Sequence, residues 1–362
     1  MKNKTLYLIL AAIFIHFAAW SQPDAQPVKS PDGRYHDHAS LDAMLLRKMD
    51  SLGVPGLSFA IINEGKIAYH AALGVKNIET GQPVTNQTIF EAASLSKPLF
   101  AYFAMKMAEN GTLDLDKPLH QYMPHPAIDS SSIEDYRLIT GRMVLAHSTG
   151  FPNWSHGESI KLAFRPGTGF SYSGEAYQYL AAVIGQLNGV GYESDLNQVF
   201  LDQVAIPMGL SHTSFTWTDH LAAHKATGHQ AGEPTDSGPQ GKAFGAGYSL
   251  HTESAEYARF LIALMKDQGL KPPTREEMLR EHTHFADTNH LKQEIGQTGW
   301  ALGFAMKPSD HGMMYMHTGN NHDFQAYAMI IPEENYGIVL FTNSDKMEPL
   351  LMSLATELGP VF

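Results

Sequence analysis

The sequence predicts an α+β protein: one antiparallel sheet flanked by helices, with an all-helical lobe inserted into it. Three observations carry this. Two apolar strand-like runs near the amino terminus flank a turn, LSFAIINEGKIAYHAALGV (Leu57–Val75). A middle stretch, about 112–240, shows short helical patterns separated by loops rich in Pro, Gly and Ser, without a long alternating segment. After residue 290 about four more strand-like runs appear. The simplest assembly puts both ends of the chain in one sheet, with a cleft where lobe and sheet meet.

The first residues stand outside this domain. MKNKTLYLILAAIFIHFAAWSQ carries Lys2 and Lys4, then an apolar run from Leu6 to Ala19, then Ala19-Trp20-Ser21, a small-x-small cleavage pattern. This predicts a signal peptide over 1–21 with Gln22 as the mature start. The run is short for a bilayer span of about 20 residues and is interrupted by His16, so no stable membrane insertion is expected after cleavage. The protein is then exported, periplasmic or secreted. Residues 22–38 are polar and broken by Pro and Gly, and read as a linker. The catalytic domain is expected over 39–362.

From Ser40, Leu41, Met44, Leu45 and Met49 fall at helical spacing, and Gly53 and Pro55 stop the helix. The hairpin follows, with Asn63-Glu64-Gly65 as its turn. EAASLSKPLFAYFAMKMAENG (Glu91–Gly111) reads as a helix buried on most sides. Pro98 suits its first turn, and Asn110-Gly111 its end. Tyr177–Leu187 and Ser254–Gly269 are further helices. Strands are expected at Trp300–Met306, Met313–His317, Phe324–Ile331 and Tyr336–Thr342, with Pro332–Asn335 as a turn. Asn343 is expected to cap a last helix running through Glu357.

Composition narrows the function. The 362 residues are 43% hydrophobic and 17% charged, with net charge −12. An acidic chain without a basic run does not neutralise phosphates, so nucleic acid is excluded as a partner. Cysteine is absent, which removes thiol nucleophiles, disulfides and cysteine-ligated zinc.

Three short motifs carry candidate chemistry. Ser94 and Lys97 lie three apart at a helix start and share a face. A lysine in apolar surroundings loses its proton near neutral pH, because desolvation disfavours the ammonium, and can then take the serine proton. An S-x-x-K alone is expected roughly once in a chain of this size. Tyr172-Ser173-Gly174 sits in a loop before a helix, and Tyr172 could relay or accept a proton. His317-Thr318-Gly319 ends a strand. Gly319 would let another backbone approach closely, while His317 and Thr318 could bond a carboxylate or carbonyl.

In this order and spacing the three motifs resemble the signature of the penicillin-recognising serine hydrolases, the class C β-lactamase, DD-peptidase and S12 peptidase-like group. LITGRMVLAHSTGFPNW (Leu138–Trp154), IPMGLSHTSF (Ile206–Phe215), AFGAGYSLHTESAEYARFLIALM (Ala243–Met265) and IVLFTNSD (Ile338–Asp345) also look like stretches of that family. The resemblance covers about 40–360 and implies the β-lactamase/transpeptidase-like fold. It implies Ser94 as acylated nucleophile, Lys97 and Tyr172 sharing base and acid duty, and the backbone N–H groups of Ser94 and Asn320 as oxyanion hole. The 317–319 edge would align substrate as an added strand.

Two positions depart from the β-lactamase pattern. The usual lysine of the third motif is His317, whose charge is conditional. The usual asparagine of the tyrosine motif, which would bond the substrate amide, is Gly174. The acyl-transfer residues are intact while substrate reading is altered. The expectation is a hydrolase of amide or ester bonds in a small molecule or short peptide: a D-amino-acid peptide, an ester or a β-lactam. No metal or organic cofactor is implied. A binding or sensor module, acylated once without turnover, or a non-catalytic relative that is not acylated at all, is the other reading. A G-x-S-x-G elbow is absent. The pairs His220/His224 and His282/His284 lack the H-E-x-x-H and H-x-H-x-D-H patterns of zinc hydrolases.

Overall fold

The apolar runs at Gly56–Asn63 (β1) and Lys66–Asn77 (β2) form the expected hairpin. Its turn residues Glu64 and Gly65 both have positive φ, 52° and 64°. That is the backbone a tight hairpin needs to match the twist of its strands. The computed structural model describes residues 26–191, 193–235, 241–266 and 268–359. The proposed signal peptide, 1–21, and the end of the proposed lobe, 236–240, lie outside the described residues. No helix among the described residues is long and apolar enough to cross a membrane.

The hairpin joins Gln82–Pro83 (β3), Thr283–His284 (β4), Gly299–Trp300 (β5), Ala305–Ser309 (β6), Gly312–Asn320 (β7), Gln325–Ile331 (β8) and Tyr336–Thr342 (β9) in one sheet. The strand order is β4-β5-β6-β7-β8-β9-β1-β2-β3, and every pairing is antiparallel. The two ends of the chain meet where β9 pairs with β1, Thr342 opposite Leu57 and Gly337 opposite Ile62.

Both faces of this sheet are covered. Ile62, Ile330, Val339 and Phe341 face helix Ser96–Glu109 (α2), helix Ser254–Met265 (α4) and the lobe. Phe59, Ile61, Met329, Ile338 and Leu340 face helices His38–Leu52 (α1) and Met347–Leu358 (α5). Burial on both faces explains why β9 reads as a continuous apolar run rather than an alternation. The lobe contributes helix Gly174–Leu187 (α3), which packs with α2.

Four expectations need correction. The stretch read as linker is partly ordered: Val28–Lys29 pairs with Tyr35–His36, and Val28 is buried. The run Trp300–Met306 is not one strand. It reverses at Ala301–Phe304, where Gly303 has φ 93° and lies against Ala101 and Pro98 of α2. The middle segment contains a short hairpin, Gly228–Gln230 with Glu233–Thr235. Asn343 does not cap α5, which starts four residues later. Its buried amide Nδ2 instead donates to the carbonyls of Val75, Lys76 and Thr227.

Candidate active site

Ser94 lies in a single 3-10 turn, Ala93–Leu95, immediately before α2. Ala93 has φ +48°, a left-handed conformation that is costly for alanine and has to be held by its surroundings. Hydrogen bonds on both sides hold it. Leu95 N–H donates to Ala92 O at 2.9 Å, Ala92 N–H to Leu250 O at 2.8 Å, and Ser96 Oγ–H to Ala93 O at 2.6 Å. Tyr257 Oη–H donates to Leu95 O at 2.9 Å. The serine is thereby raised at the mouth of a buried helix.

Lys97 sits in the first turn of that helix and is 1% exposed. Its Nζ is 3.1 Å from Ser94 Oγ and 2.8 Å from Gly247 O. The Tyr172 and Tyr177 ring centroids lie 4.6 Å and 5.8 Å from it. An ammonium has three protons to place, and two hydrogen-bond partners stand here among the described residues. Burial pulls its pKa down to about 7. Tyr172 is hydrogen-bonded to Ser94, yet burial outweighs that bond and holds its hydroxyl well above the ordinary range. The environment therefore drives the two groups apart. Near neutral pH the lysine can accept a proton, and the tyrosine keeps its own.

The third motif lies on β7. His317–Asn320 pairs with β8 on one side, His317 opposite Ala328 and Asn320 opposite Gln325. On the other side, pairing with β6 ends at Met316, so among the described residues this stretch is an open strand edge. Strand alternation turns Thr318 and Asn320 outward and His317 and Gly319 inward. A Cβ at Gly319 would overlap the carbonyl oxygen of Ala92. The glycine lets the backbone before Ser94 come against the strand, as its position in the sequence implied.

His317, the expected substrate ligand of the third motif, is a buried side chain beside Tyr172. It is 5% exposed, and its Nδ1–H donates to Thr318 O at 2.7 Å. Burial, with the nearby Lys97 charge, pushes its pKa down to about 3. It is a neutral ring packed 5.9 Å from the Tyr172 ring and 5.7 Å from the Trp300 ring. Thr318 is the exposed polar side chain of the motif. Gly174 is also buried. It begins α3, and its N–H donates to Asn153 Oδ1 at 3.0 Å.

The structure adds residues that were not singled out from the motifs. Gly247 supplies the carbonyl that anchors Lys97. His147 is fully buried and accepts the Ser173 N–H on Nδ1 at 3.0 Å, with its ring 4.4 Å from that of Tyr172. Glu91 is buried in an ion pair with Lys225 at 2.8 Å and accepts the Asn321 amide at 2.7 Å. This ties the strand before Ser94 to the turn after Asn320. His147 and Gly247 fall in LAHSTG and FGAGYS, within the runs whose likeness to the family was the available signal. Glu91 carried none.

The histidine pairs are occupied elsewhere. His220 Nε2 bonds His212 Nδ1 at 2.9 Å, His224 Nδ1 bonds His220 O at 2.9 Å, and His282 and His284 bond Glu277 O and Glu281. Among the described residues no group of three or more His, Cys, Asp or Glu is placed to hold a metal ion.

A family model described as Beta-lactamase matches residues 41–357. The chain belongs to the β-lactamase family. A β-lactamase of Pseudomonas fluorescens is 25% identical over 342 residues, covering 84% of this chain and 93% of that protein. Protein flp of Staphylococcus aureus is 23% identical over 343 residues, covering 88% of this chain. The chain spans only 66% of the length of that relative. Among solved structures, D-alanine carboxypeptidase AmpC of Burkholderia cenocepacia superposes with TM-score 0.72 at 21% identity, over 88% of this chain and all of the other. An octameric penicillin-binding protein homologue of Pyrococcus abyssi gives TM-score 0.72 at 22% identity, over 90% of this chain and 78% of the other. These likenesses establish the antiparallel sheet with helices as the β-lactamase/transpeptidase fold.

Proposed function

We propose that this β-lactamase-family chain is an exported serine hydrolase that cleaves amide or ester bonds through an acyl-enzyme on Ser94. The observation that carries the reading is the 3.1 Å separation of Ser94 Oγ from a buried Lys97 Nζ whose pKa is pulled down to about 7. Ser94 Oγ attacks the substrate carbonyl carbon while neutral Lys97 takes its proton. The oxyanion is received by the backbone N–H groups of Ser94 and Asn320. The proton passes to the leaving nitrogen or oxygen, with Tyr172 as donor or relay, and the carbon–leaving-group bond breaks. Water then repeats the sequence on the acyl-enzyme. Thr318 and the open edge of β7 align the substrate as an added strand.

A D-amino-acid peptide or a β-lactam as substrate is supported by the named activities of the carboxypeptidase and the β-lactamase it is similar to, and an ester is the third candidate. Export is supported by the Lys2/Lys4 and apolar pattern of the first residues. Finding Gln22 as the amino terminus of the mature protein would test it.

The deciding experiment is intact-protein mass after incubation with a penicillin, a cephalosporin, an activated ester and a D-alanyl dipeptide mimic, with product release followed in parallel. Wild type should gain the acyl mass and keep releasing product, and Ser94→Ala and Lys97→Ala should do neither. Tyr172→Phe should be severely slowed. Full activity in Ser94→Ala would sink the reading. A stable adduct without release would favour the sensor.

A further inference from the structure

Glu91 stands three residues before Ser94 and is fully buried. A carboxylate out of water is costly unless its oxygens find partners. Both do. Oε1 faces Lys225 Nζ at 2.8 Å, and Oε2 accepts from the Asn321 amide at 2.7 Å. Lys225 Nζ also lies 4.4 Å from the centre of the Phe324 ring. That ring in turn meets Phe90 edge to face, with centroids 6.4 Å apart.

The two pieces that Glu91 joins are each stiff. Phe90–Glu91 pairs with His251–Thr252 and leads directly into the strained Ala93 and Ser94. The turn after Asn320 is closed on itself. Asn321 N–H donates to Phe324 O at 2.9 Å, Asp323 N–H to Asn321 O at 3.0 Å, and His322 N–H to Asn320 Oδ1 at 2.7 Å. His322 has φ 70°, a left-handed conformation that such bonds have to hold. What is left to set is the gap between strand and turn. The packing of Gly319 on Ala92 O limits how closely they approach. The Glu91–Asn321 bond limits how far they part.

We propose that Glu91 is a positioning residue for the oxyanion hole, holding the turn at Asn321 so that the N–H groups of Ser94 and Asn320 converge on one oxygen. This rests on the acyl-enzyme reading and on those two donors. Such donors act on the transition state when their places are set beforehand, and a misplacement of about 1 Å can cost about a hundredfold in rate. A carboxylate suits the task because it offers one acceptor to the ammonium and another to the amide. In Glu91→Gln one oxygen and one N–H group would face two donors, so a contact is lost with almost no change of size. Adding Asn321→Asp reverses the second bond. The new amide then donates to the new carboxylate, and its oxygen still faces Lys225.

The test is kcat/KM on p-nitrophenyl acetate and on its thiono analogue, in which sulfur replaces the carbonyl oxygen, each divided by its rate of hydrolysis by hydroxide. Sulfur accepts hydrogen bonds poorly, so the corrected ester-to-thionoester ratio reads the oxyanion donors, which a general loss of structure would not. Wild type should favour the ester about a hundredfold or more. Glu91→Gln should lower that ratio about tenfold or more. Asn321→Ala, which leaves the Glu91–Lys225 pair in place, should do the same and keeps the test open if Glu91→Gln does not fold. Glu91→Gln/Asn321→Asp should recover most of the ratio. An unchanged ratio in either folded single variant, whatever its rate, or no recovery in the double variant, would overturn the positioning role and leave the hydrolase reading standing. A wild-type ratio near one would overturn the oxyanion hole and this role with it. Absence of any Ser94-dependent turnover of either substrate would overturn the acyl-enzyme reading as well.

Discussion

Gly247 O, 150 residues along the chain, accepts a 2.8 Å hydrogen bond from Lys97 Nζ. A main-chain carbonyl attracts the ammonium without neutralising it. A carboxylate in that place would hold the proton on the lysine. The site therefore fixes the amine's position and leaves it free to titrate.

Acylation should accordingly follow the neutral fraction of Lys97. The rate is expected to rise about tenfold per pH unit below a midpoint near 7 and to level above it. His317 is neutral across this range, so His317→Gln should lower the rate through lost packing on Tyr172 and leave the midpoint in place. Single-turnover acylation by an activated ester over pH 5–9 checks this. A midpoint that moves away in His317→Gln would assign the limb to the histidine.

The same amine works against the fold. The unfolded chain keeps Lys97 protonated up to about 10.5, while the folded chain releases the proton near 7. Between those values the unfolded state binds more protons, so this contribution to stability rises with pH through the window. It is flat below about 7, where the full penalty applies, and flat above about 10.5. The shift corresponds to roughly 5 kcal/mol disfavouring the buried charge. Lys97→Met should therefore abolish acylation and raise stability at pH 7 by about 1–2 kcal/mol. Urea unfolding at pH 7 and pH 9 checks it, and the gain should be smaller at pH 9.

Gly319 is constrained by its contact with the backbone of Ala92. Gly319→Ala would push Ala92, and with it the strained Ala93 and Ser94, away from β7. A stability loss of about 1–3 kcal/mol is expected. The acylation rate should fall further than that loss explains, because the proposed oxyanion donors, the N–H groups of Ser94 and Asn320, flank this approach. Rates measured well below the unfolding transition separate the two effects.

The hairpin, the buried helix after Ser94 and the strands β7 to β9 were legible because each satisfies a local rule. Glu64-Gly65 closes a turn, and Tyr336–Thr342 is apolar throughout. The Ser94–Lys97 pair was legible because three residues make one helical turn. What was not legible depends on distant partners. A lone glycine, Gly303, is the local mark of a break in Trp300–Met306. The reversal at Gly303 follows from packing on Ala101. The pleat of β7 sets His317 inward beside Tyr172, and its burial there, which keeps the ring neutral, depends on neighbours distant in the chain. Gly247 reaches Lys97 because the loop that carries it is bonded back through Leu250 to Ala92 and Ser96.

Asn343 is a case where long-range contacts replace a local role. Its buried amide serves carbonyls on β2 and on the loop at Thr227. Asn343→Ala should cost about 2–4 kcal/mol by removing a donor that three carbonyls share, of which Lys76 O keeps the Thr227 N–H. Asn343→Asp should cost more, since it sets a carboxylate against three carbonyl oxygens. Thermal unfolding of both variants checks the order. Equal losses would show that packing volume alone matters at this site.

Gly174→Asn tests how firmly Trp154 holds its place. An asparagine Cβ cannot coexist with the indole as it stands, and Trp154 is constrained by hydrogen bonds on either side of it, at Pro152, Asn153 and Ser155. The single variant should lose about 1–3 kcal/mol from overpacking and should slow acylation, because the strain falls on the loop that carries Tyr172. In Gly174→Asn/Trp154→Ala the overlap is gone, so the double variant should be more stable than the sum of the two single changes predicts. A coupling of about 1 kcal/mol or more in a double-mutant cycle is expected for residues in direct contact. Strict additivity would mean that the loop shifts freely and that the indole does not hold its place against Gly174.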